Sequence, residues 1–407
     1  MTRIVFRGGQ VFDGTGSAPV RADVAVENGV FTDVGSDLRG DQVVDVTGRT
    51  LLPGMFDCHV HILGVEMAVK SRLNEPFSYQ FYNAKRNLER TLACGITTIR
   101  DCAGADLGVK RALEDGLIPG PRLLISVTAL SQTGGHMDGW TPSSLWVDPY
   151  YVAHPGRPSS ICDGVDGVRK AARQSLRAGA DFLKVLATHS GGASYLRTRF
   201  SREELNAIGD EARTSQVGFA VHAYGSQAVK DSVAAGATTI EHVRDLDDEA
   251  IAAMREADTA LVPTIAPLLK YLGDDRPDEP ERDRLGHQGD PNNSKTEFAR
   301  EAYDSVRRAH GAGVRIAMGT DYGNDAGQNL DELTALVAAG LTPAETLVAA
   351  TSGSARAVGL HDELGTIEPG KRADVVVVDG DIFDFSKLKQ NIESVHMDGR
   401  LVHSRTR

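Results

Sequence analysis

The chain has 407 residues, of which 41% are hydrophobic and 25% are charged, as is usual for a globular protein. Its formal net charge of −12 argues against a nucleic-acid partner, because binding the phosphate backbone needs a clustered basic face. No run of ~18 apolar residues is present, so we expect no membrane span. The spacing of the four cysteines predicts reduced core thiols in a cytoplasmic protein.

The two ends of the chain share a β-rich pattern with frequent turns. In residues 1–52, short apolar runs such as Ile4–Phe6 are broken by turn signals such as Asn28-Gly29. Residues 362–407 repeat this pattern. The sequence therefore predicts one small β-sandwich domain that both termini build together.

Residues 53–361 alternate between strand and helix patterns. The candidate strands are Met55–Ile62, Ile96–Asp101, Leu123–Leu130, Phe182–Ala187, Phe219–Tyr224, Thr239–Val243, Ala260–Ile265 and Arg315–Asp321. Eight units of this kind predict an α/β fold, a (β/α)₈ TIM-like barrel, with an open doubly wound sheet as the alternative. Two long loops, 131–162 and 267–295, are expected to wall a functional pocket.

The first barrel strand carries a candidate metal-binding pair. Strand side chains alternate with a period of two, so Asp57, His59 and His61 are expected on one face. Two imidazoles on one face can chelate one ion, although such a pair is also compatible with ordinary polar residues in a strand. The structural context of the pair therefore decides its interpretation.

Later strand ends supply that context. His222 lies near the end of the fifth strand, His242 ends the sixth, and Asp321 ends the eighth. Barrel active sites collect side chains from the carboxyl ends of different strands. With the first-strand pair, four histidines and one aspartate are expected around one barrel mouth.

Lys184 lies in the fourth strand between apolar neighbours. A buried ammonium is costly, and a neutral lysine amine can add carbon dioxide to become a carbamate that bridges two metals. The alternative is a lysine whose head group reaches water beyond an apolar stem. Beside the histidines, the carbamate (N6-carboxylysine) is favoured.

These residues predict a binuclear centre with two divalent ions ~3.5–4 Å apart. The expected ligands are His59, His61 and Asp321 for the first ion, His222 and His242 for the second, and carboxylated Lys184 between them. Nitrogen and oxygen ligands suit zinc best, without excluding manganese, cobalt or nickel. A metal-bound hydroxide would attack the substrate, and Asp321 would move its proton to the leaving amine.

The ligand set and its strand order resemble the amidohydrolase superfamily. The segment Leu51-Leu52-Pro53-Gly54 and the stretch 365–374 are also typical of that superfamily. Within it, the chain is similar to prolidase-like and imidazolonepropionase-like enzymes through Gly134-Gly135-His136, Ser190-Gly191-Gly192 and 221–224. The resemblance implies that His136 and Tyr224 contact the substrate or its carboxylate.

The chain departs from those relatives around the pocket. Thr188-His189 precedes the glycines where small or apolar residues are commoner, and Val243-Arg244 follows His242 where a glycine is usual. Arg197 and Arg199 are candidates to clamp a carboxylate. These departures affect the expected substrate more than the expected reaction type, so the substrate is left open.

Three functions remain open on this basis. The first is hydrolysis of an amide-type C–N bond in a small molecule with a free carboxylate, such as a dipeptide, an N-acyl amino acid or a related amide or carbamate. The second is a mononuclear cyclic-amide hydrolase or deaminase that needs no bridging lysine. The third is a non-enzymatic barrel scaffold. The oligomeric state, homo-oligomers included, is also left open.

Overall fold

The structure, a computed structural model, describes residues 2–64, 74–143, 151, 154–189, 198–271 and 295–405. Its strands are β1 (Ile4–Arg7), β2 (Gln10–Val11), β3 (Val20–Arg21), β4 (Asp23–Glu27), β5 (Val30–Gly35), β6 (Gln42–Asp45), β7 (Thr50–Pro53), β8 (Met55–Val60), β9 (Ile96–Asp101), β10 (Arg122–Ile125), β11 (Ala129–Leu130), β12 (Phe182–Leu186), β13 (Gly218–His222), β14 (Thr239–Glu241), β15 (Ala260–Val262), β16 (Val375–Val378), β17 (Ile392–Met397) and β18 (Arg400–Ser404).

The terminal strands form two sheets. A four-stranded sheet has the order β5-β4-β1-β6, and a six-stranded sheet has the order β18-β17-β16-β7-β2-β3. In the second sheet, β7 pairs antiparallel with β16, with Leu52 opposite Val376. Strands from both ends of the chain therefore share one sheet.

The strands of the middle region run parallel in two groups. One sheet has the order β10-β9-β8 and the other β11-β12-β13-β14-β15, with parallel pairing throughout. The predicted third strand is divided into β10 and β11 because Val127 adopts a left-handed conformation with φ of 65°. A β-branched residue in that conformation interrupts a regular strand.

The predicted eighth strand, Arg315–Asp321, is not a continuous strand. Its backbone instead forms isolated parallel bridges on both sides, from Ile316 to Leu261 of β15 and from Tyr322 to Val60 of β8. The amide of Cys58 also donates to the Met318 carbonyl at 2.8 Å. The segment lies between β15 and β8, and its hydrogen bonds are shared between them rather than aligned along one ladder.

Helices connect the parallel strands or follow the last of them, and one lies between β16 and β17. They are α1 (Tyr79–Leu92), α2 (Leu107–Glu114), α3 (Gly164–Arg177), α4 (Arg202–Thr214), α5 (Ser226–Ala234), α6 (Asp248–Glu256), α7 (Lys295–Gly311), α8 (Asp331–Ala338), α9 (Pro343–Ala350), α10 (Ser352–Ala357) and α11 (Phe385–Asn391), with a 3₁₀ turn at Ala266–Tyr271. α4 begins with a capping box: the Ser201 hydroxyl accepts from the Glu204 amide, and the Glu204 carboxylate accepts from the Ser201 amide.

The largest apolar core lies between strands β12–β15 and the helices that cover them. All four cysteines are buried and free of disulfides, as the sequence predicts. Within the described residues, no helix is long and apolar enough to cross a membrane.

Candidate metal centre

The alternation of β12 decides where Lys184 points. Leu183 and Val185 belong to the apolar core packed against the helices, so Lys184 between them faces the opposite side of the strand. The whole residue is 2% exposed. Among the described residues, its Nζ atom has no hydrogen-bond partner. A buried ammonium without a partner is costly, so this atom is suited to a group that the chain itself does not supply.

β13 repeats the alternation of β12. Phe219 and Val221 belong to the same apolar core, and His222 faces the side of Lys184. His222 is 3% exposed, and its Nε2 atom also lacks a hydrogen-bond partner within the described part of the chain. Two neighbouring strands therefore each bring one unsatisfied nitrogen to the same region.

Four imidazoles form a continuous row at this site. The ring centroids of His59 and His61 are 5.4 Å apart, those of His59 and His242 are 4.8 Å apart, and those of His242 and His222 are 4.6 Å apart. His59 lies in β8 and His61 directly follows it. His222 is the last residue of β13, and His242 directly follows β14. The four histidines predicted as ligands are thus brought together.

Asp321 completes the row. Its Oδ1 atom lies 3.1 Å from Nε2 of His61 and 3.5 Å from Nε2 of His59. His59, His242 and Asp321 each offer a ligand atom within 4.8 Å of the others. His242 and Asp321 both adopt left-handed backbone conformations, with φ of 73° and 58°. Such conformations are costly for these residue types and are concentrated at functional sites.

In three of these histidines, the Nδ1 ring nitrogen already lies within hydrogen-bond distance of another group of the chain. Nδ1 of His59 lies 2.7 Å from a carboxylate oxygen of Glu241, and Nδ1 of His242 lies 2.7 Å from the Thr264 hydroxyl. Nδ1 of His61 lies 3.1 Å from the Ala103 carbonyl, with the Tyr151 hydroxyl at 2.7 Å. A carboxylate or a carbonyl only accepts, so Nδ1 of His59 and of His61 carries the proton, which leaves Nε2 of His59 able to bind a metal. Nε2 of His61 donates to Asp321, which raises the pKa of His61, and this nitrogen would release that proton on binding a metal.

Electrostatics keep most of these imidazoles neutral. Burial, reinforced by the Lys184 ammonium, lowers the pKa of His59 to about 4. Burial and neighbouring positive charges likewise hold the pKa values of His222 and His242 well below the usual range. Neutral imidazole is the form that binds a metal. The chemistry and the unsatisfied nitrogens of this donor set therefore fit one or more divalent ions.

Asp321 is held in its ionised form. Burial alone would raise the pKa of its carboxyl, but the hydrogen bond from His61 and the charges of nearby imidazoles hold it well below its usual range. Its side chain retains 40% of its surface accessible. An ionised carboxylate that touches two imidazoles and stays reachable can both bind a metal and receive a proton.

The predicted substrate-contacting residues lie beside the candidate metal ligands. The His136 ring is 5.0 Å from that of His222, and the Tyr224 ring is 4.9 Å from His222 and 5.8 Å from His242. His189, one of the departures from the relatives, lies 5.6 Å from His136. These aromatic side chains form one continuous wall.

Other sequence candidates fall elsewhere. The Arg244 guanidinium lies 4.7 Å from the Phe298 ring and pairs with Glu301 of α7. Arg197 and the segment Ser190-Gly191-Gly192 lie outside the described residues, as do most of 267–295 and part of 131–162.

Asp57 does not share the role of the histidines. Its carboxylate accepts from the Thr320 amide and hydroxyl, at 3.1 and 2.7 Å, and from the Asn329 side chain at 2.8 Å. The ladder of β8 also shifts register between Asp57 and Val60, which breaks the simple alternation. The expectation of one shared face was therefore wrong for Asp57.

The sequence did not reveal the residues that contact the Nδ1 side of the candidate ligand histidines. Glu241 and Arg100 form a buried pair behind His59, with Nη2 of Arg100 2.7 Å from Oε1 of Glu241. Thr264 and Tyr151 contact His242 and His61. Glu241 directly precedes a candidate ligand, which was an available signal, whereas Arg100 is an ordinary strand residue in the sequence.

Comparisons with known proteins identify the family to which the chain belongs. The profile of the amidohydrolase family matches residues 50–402. The chain is 28% identical to an ochratoxinase of Aspergillus niger, over 96% of this chain and 84% of that protein. It is 23% identical to an imidazolonepropionase of Caldanaerobacter subterraneus subsp. tengcongensis, over 92% of this chain and 88% of that protein.

Comparisons with solved structures show which fold the chain shares. The crystal structure of the A. niger ochratoxinase superposes with a TM-score of 0.86 and 27% identity, over 99% of this chain and 96% of that chain. A prolidase in complex with N-methylphosphonate-L-proline superposes with a TM-score of 0.85 and 29% identity, over 99% of this chain and all of that chain. Their shared fold is a TIM-barrel-like α/β fold.

Proposed function

The chain belongs to the amidohydrolase family and is a hydrolase of C–N bonds, and from that premise we propose that it is a binuclear, metal-dependent enzyme for amide-type bonds. Its substrate is a small molecule with a free carboxylate: a dipeptide, an N-acyl amino acid, or a related amide or carbamate. The family assignment sets aside the non-enzymatic scaffold.

The observation that carries this proposal is the buried Nζ atom of Lys184. It has no hydrogen-bond partner among the described residues and shares its face of the parallel strands with His222. A carboxylated Lys184 would present two oxygens, one toward the ion held by His59, His61 and Asp321 and one toward the ion held by His222 and His242. The nitrogen and oxygen donors suit zinc.

When bound at this site, divalent ions supply Lewis acidity, which polarises a carbonyl and lowers the pKa of water toward ~7. The chain's own residues handle the proton. Asp321 is ionised and accessible, so it accepts the proton of the attacking water and returns it to the leaving amine.

Substrate binding falls to the aromatic wall. His136 and Tyr224 flank His222 at ring distances of 5.0 and 4.9 Å, and both can donate a hydrogen bond to a carboxylate or to the oxygen that develops negative charge. The activities of the similar proteins support this class, since an ochratoxinase and a prolidase are among them.

The architecture that holds the site is also part of the proposal. Residues 53–361 form a closed (β/α)₈ barrel in which the segment at 315–322 takes the eighth strand position. The bridges of this segment to β15 and β8 support that closure. Residues 1–52 and 362–407 form the small β-sandwich domain, which the pairing of β7 with β16 supports.

A mononuclear cyclic-amide hydrolase or deaminase is the second candidate. The observation that favours it is the close group of His59, His242 and Asp321, whose ligand atoms lie within 4.8 Å of one another and could hold a single ion. In that case Lys184 would remain an amine. The number of metal ions per chain in a fully loaded sample separates the two candidates.

The test of the leading function is a substrate screen. Zinc-loaded protein is incubated with libraries of dipeptides and N-acyl amino acids, and amine release is measured, with an Asp321→Asn variant as the control for background hydrolysis. We expect release from substrates with a free carboxylate and not from their amidated counterparts. Release that is confined to cyclic amides or amino-heterocycles would refute the proposal in favour of the second candidate.

A further inference from the structure

A chain of buried charges lies behind the candidate metal centre and ends on His59. Nη2 of Arg100 donates to one carboxylate oxygen of Glu241 at 2.7 Å, and the other oxygen accepts from Nδ1 of His59 at 2.7 Å. The three side chains are at most 4% exposed. Both oxygens of the carboxylate are thus committed, one to a cation and one to a candidate metal ligand.

Arg100 is itself held on several sides. Its Nε atom donates to the Cys58 carbonyl of β8 at 2.6 Å, and its Nη1 atom donates to the Thr239 hydroxyl of β14 at 3.1 Å. Its guanidinium carbon lies 5.1 Å from the centre of the Phe182 ring of β12. Because the guanidinium is a rigid fork, these contacts leave the Glu241 carboxylate little freedom to turn.

The partner of His59 differs in kind from the partners of the other histidines. Nδ1 of His242 meets the neutral hydroxyl of Thr264, and Nδ1 of His61 meets the Ala103 carbonyl. A hydrogen bond to an ionised acceptor is roughly twice as strong as one between neutral groups. A carboxylate behind an imidazole also makes its other nitrogen a stronger metal donor.

We propose that Glu241, held in place by Arg100, is a positioning residue that fixes His59 with Nε2 unprotonated and makes the ion bound by His59 the more tightly held of the two. This inference rests on the proposed metal-dependent function, and it assigns neither residue a contact with substrate. The Arg100–Glu241 pair acts only through His59.

The experiment measures zinc affinity rather than turnover. Apo-protein is titrated with Zn²⁺ against a chromophoric chelator, for the wild type and for Glu241→Gln. Loss of a partner behind a metal ligand typically weakens metal binding ~10–100-fold, and we expect a change of that size in the tighter phase of the titration. An unchanged tight phase, or weakening of the looser phase alone, would overturn the proposal.

A control exists in a second carboxylate–arginine pair, in which the carboxylate is buried and the arginine is partly buried. Asp374 is 3% exposed, and one of its oxygens lies 3.0 Å from Nη1 of Arg122, near the junction of β16 with the parallel strands. Asp374→Asn removes the same charge from a buried carboxylate that also pairs with an arginine. We expect it to lower the melting temperature without changing either zinc affinity. Equal weakening of zinc binding in the two variants would show a general loss of structure and overturn the specific role of Glu241.

A measurement on the unmodified chain guards against a variant that fails to fold. In ¹⁵N-histidine-labelled apo-protein, long-range ¹H–¹⁵N correlations report which nitrogen of each ring carries the proton. His59 is expected with a protonated Nδ1 and a bare Nε2, and the reverse tautomer would overturn the proposal. A wild type that binds a single zinc ion refutes the binuclear function, while weakening of that ion by Glu241→Gln still supports the positioning role.

Discussion

Glu332 offers a test of how burial controls the pH dependence of stability. Its side chain is fully buried, and its two carboxylate oxygens accept from the Ile265 amide at 3.1 Å and the Ala266 amide at 2.6 Å. These contacts fix the backbone where the chain leaves β15. Burial raises the pKa of Glu332 from its ordinary 4.5 to about 8. We expect Glu332→Gln to change the slope of stability with pH.

The direction in which stability changes with pH follows from proton binding. Between pH 4.5 and 8 the unfolded chain has released the proton of this carboxyl and the folded chain has kept it, so the free energy of unfolding falls as pH rises. The slope is ~1.4 kcal/mol per pH unit, or ~4 kcal/mol between pH 5 and pH 8. This contribution is fully present below pH 4.5 and is lost as the pH passes 8.

The glutamine variant removes that slope at the cost of one hydrogen bond. Its amide nitrogen cannot accept from a backbone amide, which costs about 1–3 kcal/mol at every pH. Glu332→Gln is therefore expected to be less stable than the wild type at pH 5. The difference should shrink and then reverse as the pH approaches 8.

The assay is urea unfolding followed by far-UV circular dichroism at each pH from 5 to 8. The control is Glu345→Gln in the capping box of α9, where hydrogen bonds from Thr342 lower the pKa of Glu345. That contribution is lost only on acidification below pH 4.5. The free energies of unfolding of Glu345→Gln and of the wild type should therefore differ by a constant amount from pH 5 to 8. A constant difference between Glu332→Gln and the wild type across the range would refute the reasoning.

Three further outcomes are expected. Removal of metal by a chelator should abolish amide hydrolysis, and Zn²⁺ should restore it; full activity in verified metal-free protein would contradict the metal-dependent mechanism. Lys184→Ala should lower kcat ~100-fold or more, since even the loss of an outer partner costs ~10–100-fold, and short carboxylic acids should restore part of it; unreduced activity would exclude the bridging role. Gly209→Ala should destabilise the chain by about 1–3 kcal/mol or more in thermal unfolding, because its Cβ would lie 1.9 Å from the Ala235 carbonyl oxygen. Gly167→Ala, which meets no atom within 4 Å, should instead stabilise helix α3 by ~0.5–1 kcal/mol, and equal effects would contradict the packing argument.

The sequence was sufficient to find the residues that converge because strand alternation and strand ends are local properties. Lys184 and His222 each lie between apolar residues that must face the helices, so their own direction follows from the period of two. His242 and Asp321 could be placed by the same logic, as the last residues of parallel segments. What the pattern cannot give is the distance between them.

The residues behind the ligands could not be predicted for the same physical reason. The contact of Arg100 with Glu241 joins residues 141 positions apart, and that of His59 with Glu241 joins residues 182 positions apart. No local period encodes such a contact. The register shift in β8 and the left-handed turn at Val127 are likewise set by neighbouring strands, and they account for the errors at Asp57 and at the predicted third strand.

The pairing of β7 with β16 has a consequence for the order of folding. Arg49, just before β7, forms an ion pair with Glu393, 344 positions later in the chain. During synthesis β7 must wait for almost the whole chain before it gains that neighbour, and such distant pairing is slow because the loop entropy is lost first. β7 leads directly into the strand that carries His59. β7 can pair with β2 early, but its second neighbour in the sheet, at the base of the first strand of the candidate metal centre, is added only when the last strands emerge from the ribosome.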